Sequence, residues 1–228
     1  MFSLALPLIV LLVLGGVFGD TPSTDPSGKV YYRGVGPMSF YVPAYLALVV
    51  TSVAVISLPT HLAGYRERGV LKRYRAASVG ALTIAGSQLI VTLALSAASA
   101  VVLLVGAAVA YDFQGPGAVL PVIGTFVVVV VGFTAFGFLL GALLPTARAA
   151  QALGLMLWFV MMMLGGAGPP QEVLGDTMRF ISDATPLWYA VQLLHQAWFG
   201  LDPGAAWWVF LGFAAISAAL ALRFFRWE

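Results

Sequence analysis

Apolar residues run along this chain in blocks of membrane length, split by short polar breaks, without the period-2 alternation of barrel strands. The blocks fall at about residues 2–18, 40–63, 82–111, 119–144, 151–164 and 205–222. A helix needs about 20 apolar residues to cross a bilayer core, and only helices or closed barrels satisfy their backbone there. The pattern predicts an all-α integral membrane protein with six transmembrane helices, forming one domain over residues 1–228. The first block is short, carries Pro7 and ends in Gly15, Gly16 and Gly19. A signal peptide is the rival reading of it, but the basic n-region and small-x-small cleavage site are missing. Either reading leaves residue 20 outside.

The fifth-to-sixth connection breaks the rhythm. Gly165-Gly166-Ala167-Gly168-Pro169-Pro170 ends a helix. Val173, Leu174, Met178 and Ile181 then recur at helical spacing, and Thr185-Pro186 reads as an N-cap followed by proline at N1. A helix from Leu187 to Phe199 follows, stopped by Gly200. The expectation is a re-entrant or interfacial helical hairpin before the last span. Pro169, Pro170, Thr185, Pro186, Trp188 and Tyr189 would form an outer gate, with Trp188, Tyr189 and Trp198 at the membrane interface.

Charge gives the orientation. Only 9% of residues are charged and 61% are hydrophobic, against about 25% charged in soluble domains. Five of the eleven Lys/Arg residues crowd into 64–76: Arg66, Arg68, Lys72, Arg73 and Arg75. With both termini inside, Arg148, Arg223 and Arg226 join them, leaving Lys29, Arg33 and Arg179 outside. Lys and Arg resist translocation, so 64–76 is a cytoplasmic segment of a multi-pass cell-membrane protein. Read as one helix, it places Arg68, Lys72 and Arg75 on one face, with Val70, Leu71 and Tyr74 roughly opposite.

Chemistry is sparse. There is no cysteine and no asparagine, hence no disulfide, thiolate metal site or glycosylation sequon. Gly28-Lys29 lacks the rest of a P-loop. No catalytic residues, metal site or nucleic-acid surface emerge. His61 and His195 read as lone interfacial residues. The Gly137/Gly141 pair suggests helix packing. No Asp, Glu, Lys or Arg falls mid-span, whereas ion-driven transporters need such groups. Any transport energy must then come from outside this chain. Phe133, Phe136, Trp158, Phe159 and Met161–Met163 offer greasy surface for a lipophilic cargo.

Glu67-Arg68-Gly69-Val70-Leu71-Lys72-Arg73 resembles the E-R-G-T-L-K-R stretch of type-2 ABC exporter permeases. The family's following Thr-Pro turn is replaced by Ala77-Ser78-Val79. Thr185-Pro186-Leu187-Trp188-Tyr189-Ala190 is similar to the family's Asn-Pro-Leu-x-Tyr stretch, with Thr for Asn. The resemblance implies an ATPase-coupling segment over Arg66–Arg73. It also implies a separate ATP-binding cassette ATPase subunit, which carries ATP and Mg; this chain carries no cofactor. Family members usually begin with an amphipathic helix before the first span, so a truncated chain or misplaced start is a further expectation. The implied function is the permease subunit of an exporter of hydrophobic or amphiphilic molecules (drug or lipid), as a homodimer or paired permease among membrane lipids. The alternatives are a non-transporting scaffold or a passive pore whose basic loop is only a lipid anchor. An intramembrane enzyme lacks its catalytic constellation.

Overall fold

The computed structural model describes Ile9 and residues 36–111, 115–168, 175–202 and 204–225. The expected first span, apart from Ile9, lies outside the described residues, as do Pro169 and Pro170. The fold is all-helical: α1 Pro37–Glu67, α2 Val70–Ala76, α3 Ala81–Ala110, α4 Val119–Leu143, α5 Ala147–Leu164, α6 Asp176–Asp183, α7 Pro186–Phe199 and α8 Ala206–Phe224. Among the described residues, five helices (α1, α3, α4, α5 and α8) are long and apolar enough to cross a membrane. This is a multi-pass membrane bundle.

Helix α1 is its axis. The most apolar window of α1 is 89% buried, against 28% for α3 and 17% for α8. The peripheral helices turn their exposed valines, leucines and isoleucines outward, as lipid-facing helices do. Helix α1 starts at Pro37, after an extended Gly36, where a missing N–H costs nothing. It runs past the expected end at Ala63, so Arg66 and Glu67 form its last turn. Pro59 shapes its middle. Proline offers no N–H to the Val55 carbonyl and its ring crowds that oxygen. The helix widens to a π turn over Ser52–Ser57, where the Leu58 N–H donates to the Val53 carbonyl. Pro59 is thus accommodated by a widened turn preceding it.

Two helices clasp that turn. A Cβ at Gly137 of α4 would overlap the Ala54 oxygen, and one at Gly154 of α5 would overlap the Val55 oxygen. Only glycine permits this approach. Gly141 completes the α4 contact, lying against Leu62 and Pro59 of α1. The Gly137/Gly141 pair therefore packs helices within one chain.

Two buried hydroxyls of α1 bond locally. Thr51 Oγ1 donates to the Leu48 carbonyl at 2.8 Å and Ser52 Oγ to Val49 at 2.8 Å. Buried polar groups in hydrocarbon must be satisfied, and i−3 back-bonding does so without a partner helix. On α3, Thr92, Ser96, Ser99, Leu103 and Ala107 are buried at helical spacing, a small-residue face of the kind that favours close helix approach. Helix α8 packs along α4 through aromatic pairs, Phe133 with Phe210 at 5.8 Å and Phe136 with Phe213 at 5.3 Å. Helix α5 begins at Ala147, earlier than expected, because the Thr146 hydroxyl accepts the Ala149 N–H at 3.1 Å.

Candidate functional site at the basic end

The segment 66–76 is two helices joined by a left-handed corner. Helix α1 stops at Glu67. Gly69 sits at φ 69°, where a side chain would be strained, and α2 starts at Val70. The single helix expected across this stretch is therefore bent, which changes what each residue faces. Leu71 is fully buried in an apolar cluster with Leu58, Leu62, Ile84, Phe138 and Ala221. It plugs α2 into a cluster whose other members come from α1, α3, α4 and α8. Val70 is half-buried. Glu67, Arg68, Lys72, Arg73, Tyr74 and Arg75 are exposed.

Arg66 faces inward. Its guanidinium donates to the Leu144 carbonyl at 2.8 Å, to Gly141 at 2.9 Å and to Ala142 at 3.2 Å. These oxygens lie at the C-terminal end of α4, where helix carbonyls lack partners and the dipole favours a cation. The arginine of α1 therefore caps α4. Arg68 Nε donates back to the Gly64 carbonyl at 3.1 Å, and its guanidinium lies 5.6 Å from the Tyr65 ring centre. The result is a rigid elbow. One apolar plug and one arginine clamp hold it, and its outer surface shows an acid, an aromatic ring and several cations. Among the described residues, Glu67 is the acid of this end, while Arg148 and Arg223 are exposed there too. Such an elbow is an exposed, charged surface tied mechanically to α1 and α4.

Thr185, Pro186, Trp188 and Tyr189, the described residues expected at an outer gate, lie at the opposite end of the bundle. Gly165 and Gly166 turn the chain sharply out of α5, with Gly166 at φ 80° against the Trp188 ring. Ser182 Oγ donates to the Leu164 carbonyl at 2.5 Å, tying α6 to the end of α5. Thr185 occupies the N-cap position before Pro186, but its hydroxyl donates to the Ser182 carbonyl at 2.7 Å instead of capping α7. Tyr189 OH donates to the Asp183 carbonyl at 2.7 Å. Trp188 and Tyr189 are half-buried. Trp198, expected at the interface, is buried instead, because α7 packs against α1, α4 and α8. His195 is buried too. Its Nε2 lies 2.8 Å from the Phe40 carbonyl, and its ring is 4.5 Å from that of Phe40. Since a carbonyl only accepts, Nε2 carries the proton. Tyr41 OH reaches the Gly168 carbonyl at 2.9 Å.

Three features escape the sequence reading: the Arg66 clamp, the inward Leu71 and the His195 tie. One signal for the clamp was present. Helix α4 ends at Leu143-Leu144-Pro145, with no glycine to close its last turn, so its carbonyls needed an outside donor. Of the surfaces proposed for cargo, Phe133 and Trp158 are core, with the indole N–H of Trp158 donating to the Leu48 carbonyl at 3.3 Å. Phe159 is exposed.

A family model described as ABC-2 type transporter matches residues 1–199. No curated protein matches the chain.

Proposed function

The chain belongs to the ABC-2 type transporter family, and from that premise we propose that it is the permease subunit of an ATP-driven exporter. Its cargo is hydrophobic or amphiphilic, drug- or lipid-like. The nucleotide and its Mg are handled by a separate ATP-binding cassette ATPase. The observation that carries this reading is the elbow at Gly69. Its exposed Glu67 ends α1, its exposed Arg73 and Tyr74 sit on the short helix α2 that Leu71 anchors, and Arg66 clamps α1 to the end of α4. A partner pressing on α2 moves α1 and α4 with it, because the plug and the clamp leave α2 little freedom of its own.

Sidedness follows from charge. The basic end lies in the cytoplasm with both termini, on the plasma (inner) membrane, and α6–α7 lie outside as an interfacial or re-entrant hairpin. The segment 2–18 supplies the sixth span. The path for cargo runs between two copies, or between this chain and a related permease, because α1 fills the centre of the single bundle. Helix α5 offers a lining, since Leu155, Met156, Phe159 and Val160 are exposed along it.

The test is co-purification with a candidate ATP-binding cassette ATPase, sought first in the neighbouring reading frame, followed by screening of lipophilic compounds for stimulation of ATP hydrolysis. Stimulation that disappears with Glu67→Lys, while the two proteins still insert and purify, supports the reading. A Glu67→Lys protein that transports normally reduces the segment to a lipid and topology anchor and overturns its coupling role; an unaltered pair whose ATP hydrolysis no compound stimulates favours the scaffold.

A further inference from the structure

A groove of about 270 Å³ opens between α3, α4 and α8, in the half of the bundle nearest the basic end. Its lining includes the small residues Ala85, Gly86, Ala135 and Ala218, with Leu82 and Leu222 towards the basic end. Thr134 is its polar member, and that hydroxyl already donates to the Val130 carbonyl at 2.6 Å. The groove therefore selects hydrocarbon. Sites for drug-sized ligands run about 300–1,000 Å³ and enclose most of the ligand; this one is smaller and open along its side. It suits part of a single acyl chain.

Charge at its end narrows the choice of lipid. Arg223 follows Leu222 directly, is exposed, and lies in the last turn of α8. Phe225 fixes that end by stacking on Phe138 of the groove at 5.3 Å. Lys72, Arg73 and Arg75 are exposed on α2, which Leu71 binds to the apolar cluster shared with Phe138 and Ala221. Of the described acids, Asp176, Asp183 and Asp202 belong to the other end, and Glu67 stands alone at this one against Lys72, Arg73, Arg75, Arg148 and Arg223.

We propose that the groove is a binding site for one anionic phospholipid, its acyl chain lying between α3, α4 and α8 and its phosphate among Arg223 and the α2 cations. The acyl chain packs between α3, which follows α2 in the chain, α4 and the last span α8. The acyl site is independent of what the protein transports, while the lipid's phosphate shares the α2 surface proposed for the ATPase.

The experiment uses the complete chain in nanodiscs of equimolar phosphatidylglycerol and phosphatidylcholine. Each lipid in turn carries a diazirine in mid-chain, and adducts are mapped by mass spectrometry to 82–89, 131–138 and 218–222. The expected result is a phosphatidylglycerol excess in the groove that Arg223→Gln lowers roughly five-fold, since one cation near the surface contributes about that factor. Gly86→Leu should empty the groove of both lipids. A side chain at Gly86 meets open space within the chain, so the protein still folds; Ala218→Leu tests the same point from α8. Equal labelling by the two lipids, or adducts that persist in both filled variants, overturns the proposal. So does efficient crosslinking between two copies through Gly86→Cys, which would make the groove a contact between chains.

Discussion

The two ends of the bundle both carry a short helix beyond a sharp turn, yet they are built in opposite ways. At the basic end, α2 buries one side chain, Leu71, and leaves the rest of its length to solvent or a partner. At the other end, α7 buries Leu187, Ala190, Val191, Leu193, Leu194, His195 and Trp198. One helix is displayed on two anchors; the other is part of the core. A helix held at few points can transmit a push without the bundle repacking, whereas a core helix resists change because close-packed interiors do not deform continuously. The difference argues for coupling at α2 and for a structural lid at α7, with any gating left to α6, whose Met178, Phe180 and Ile181 are exposed.

The comparison is broken most directly at Glu67. Glu67→Lys should cut substrate-stimulated ATP hydrolysis at least tenfold while membrane insertion and melting stay as they were. Equal loss of melting temperature would mean that Glu67 is structural and that α2 is no more a display surface than α7 is.

Leu71→Ala comes next. Emptying a buried leucine site costs about 2–5 kcal/mol. Hydrogen exchange should rise in α2 and leave α7 protected. If protection falls at both ends together, the elbow is part of the core and the contrast fails.

Arg66→Gln should release the end of α4. Hydrogen bonds to a charged group contribute about 1.5–3 kcal/mol each, partly recovered when water reaches the freed carbonyls. Stimulated hydrolysis should drop several-fold while the ATPase still co-purifies. Loss of co-purification would place Arg66 in the docking surface itself.

At the other end, His195→Leu removes one hydrogen bond between α7 and α1. A cost of about 1 kcal/mol is expected, seen as a small fall in melting temperature with transport retained. Abolished transport in a stable His195→Leu protein would make α7 a moving part.

The smallest effect is expected for Lys72→Gln. One lipid-facing cation contributes about 1 kcal/mol of membrane attraction, so transport should change less than two-fold. A loss as large as that of Glu67→Lys would put Lys72 inside the ATPase contact.

The five spans within residues 37–224 could be read from the apolar blocks, because the bilayer sets a minimum span length whatever the neighbours do; their ends could not, as α1 and α5 both run beyond their apolar blocks. The corner at Gly69 was partly legible, since glycine between two helical stretches permits a left-handed turn. The inward rotation of Leu71 was not. A helical wheel groups it with Val70 and Tyr74, and only the bend at Gly69 separates them. Pro59 announced a distortion but not its form, because whether a helix kinks or widens depends on what presses on it, here Gly137 and Gly154 from two other helices. Arg66 was countable as a topology signal, yet nothing local says that its partners lie 75 to 78 residues later in the chain.

That separation has a consequence for biosynthesis. Arg66 leaves the ribosome long before Gly141, Ala142 and Leu144 exist, by several seconds at about 5–20 residues per second. Leu71 waits longer still, since Ala221 of its cluster lies far later in the chain. Until these residues are made the elbow lacks first its clamp and then its full plug, and the face bearing Glu67 has no fixed shape. The surface proposed for the ATPase therefore matures only after α4 and α8 have been made, although its own residues come well before them. Recruitment of the ATPase becomes a test of completed assembly: a nascent chain released before residue 144 should insert its early helices and still fail to capture the partner.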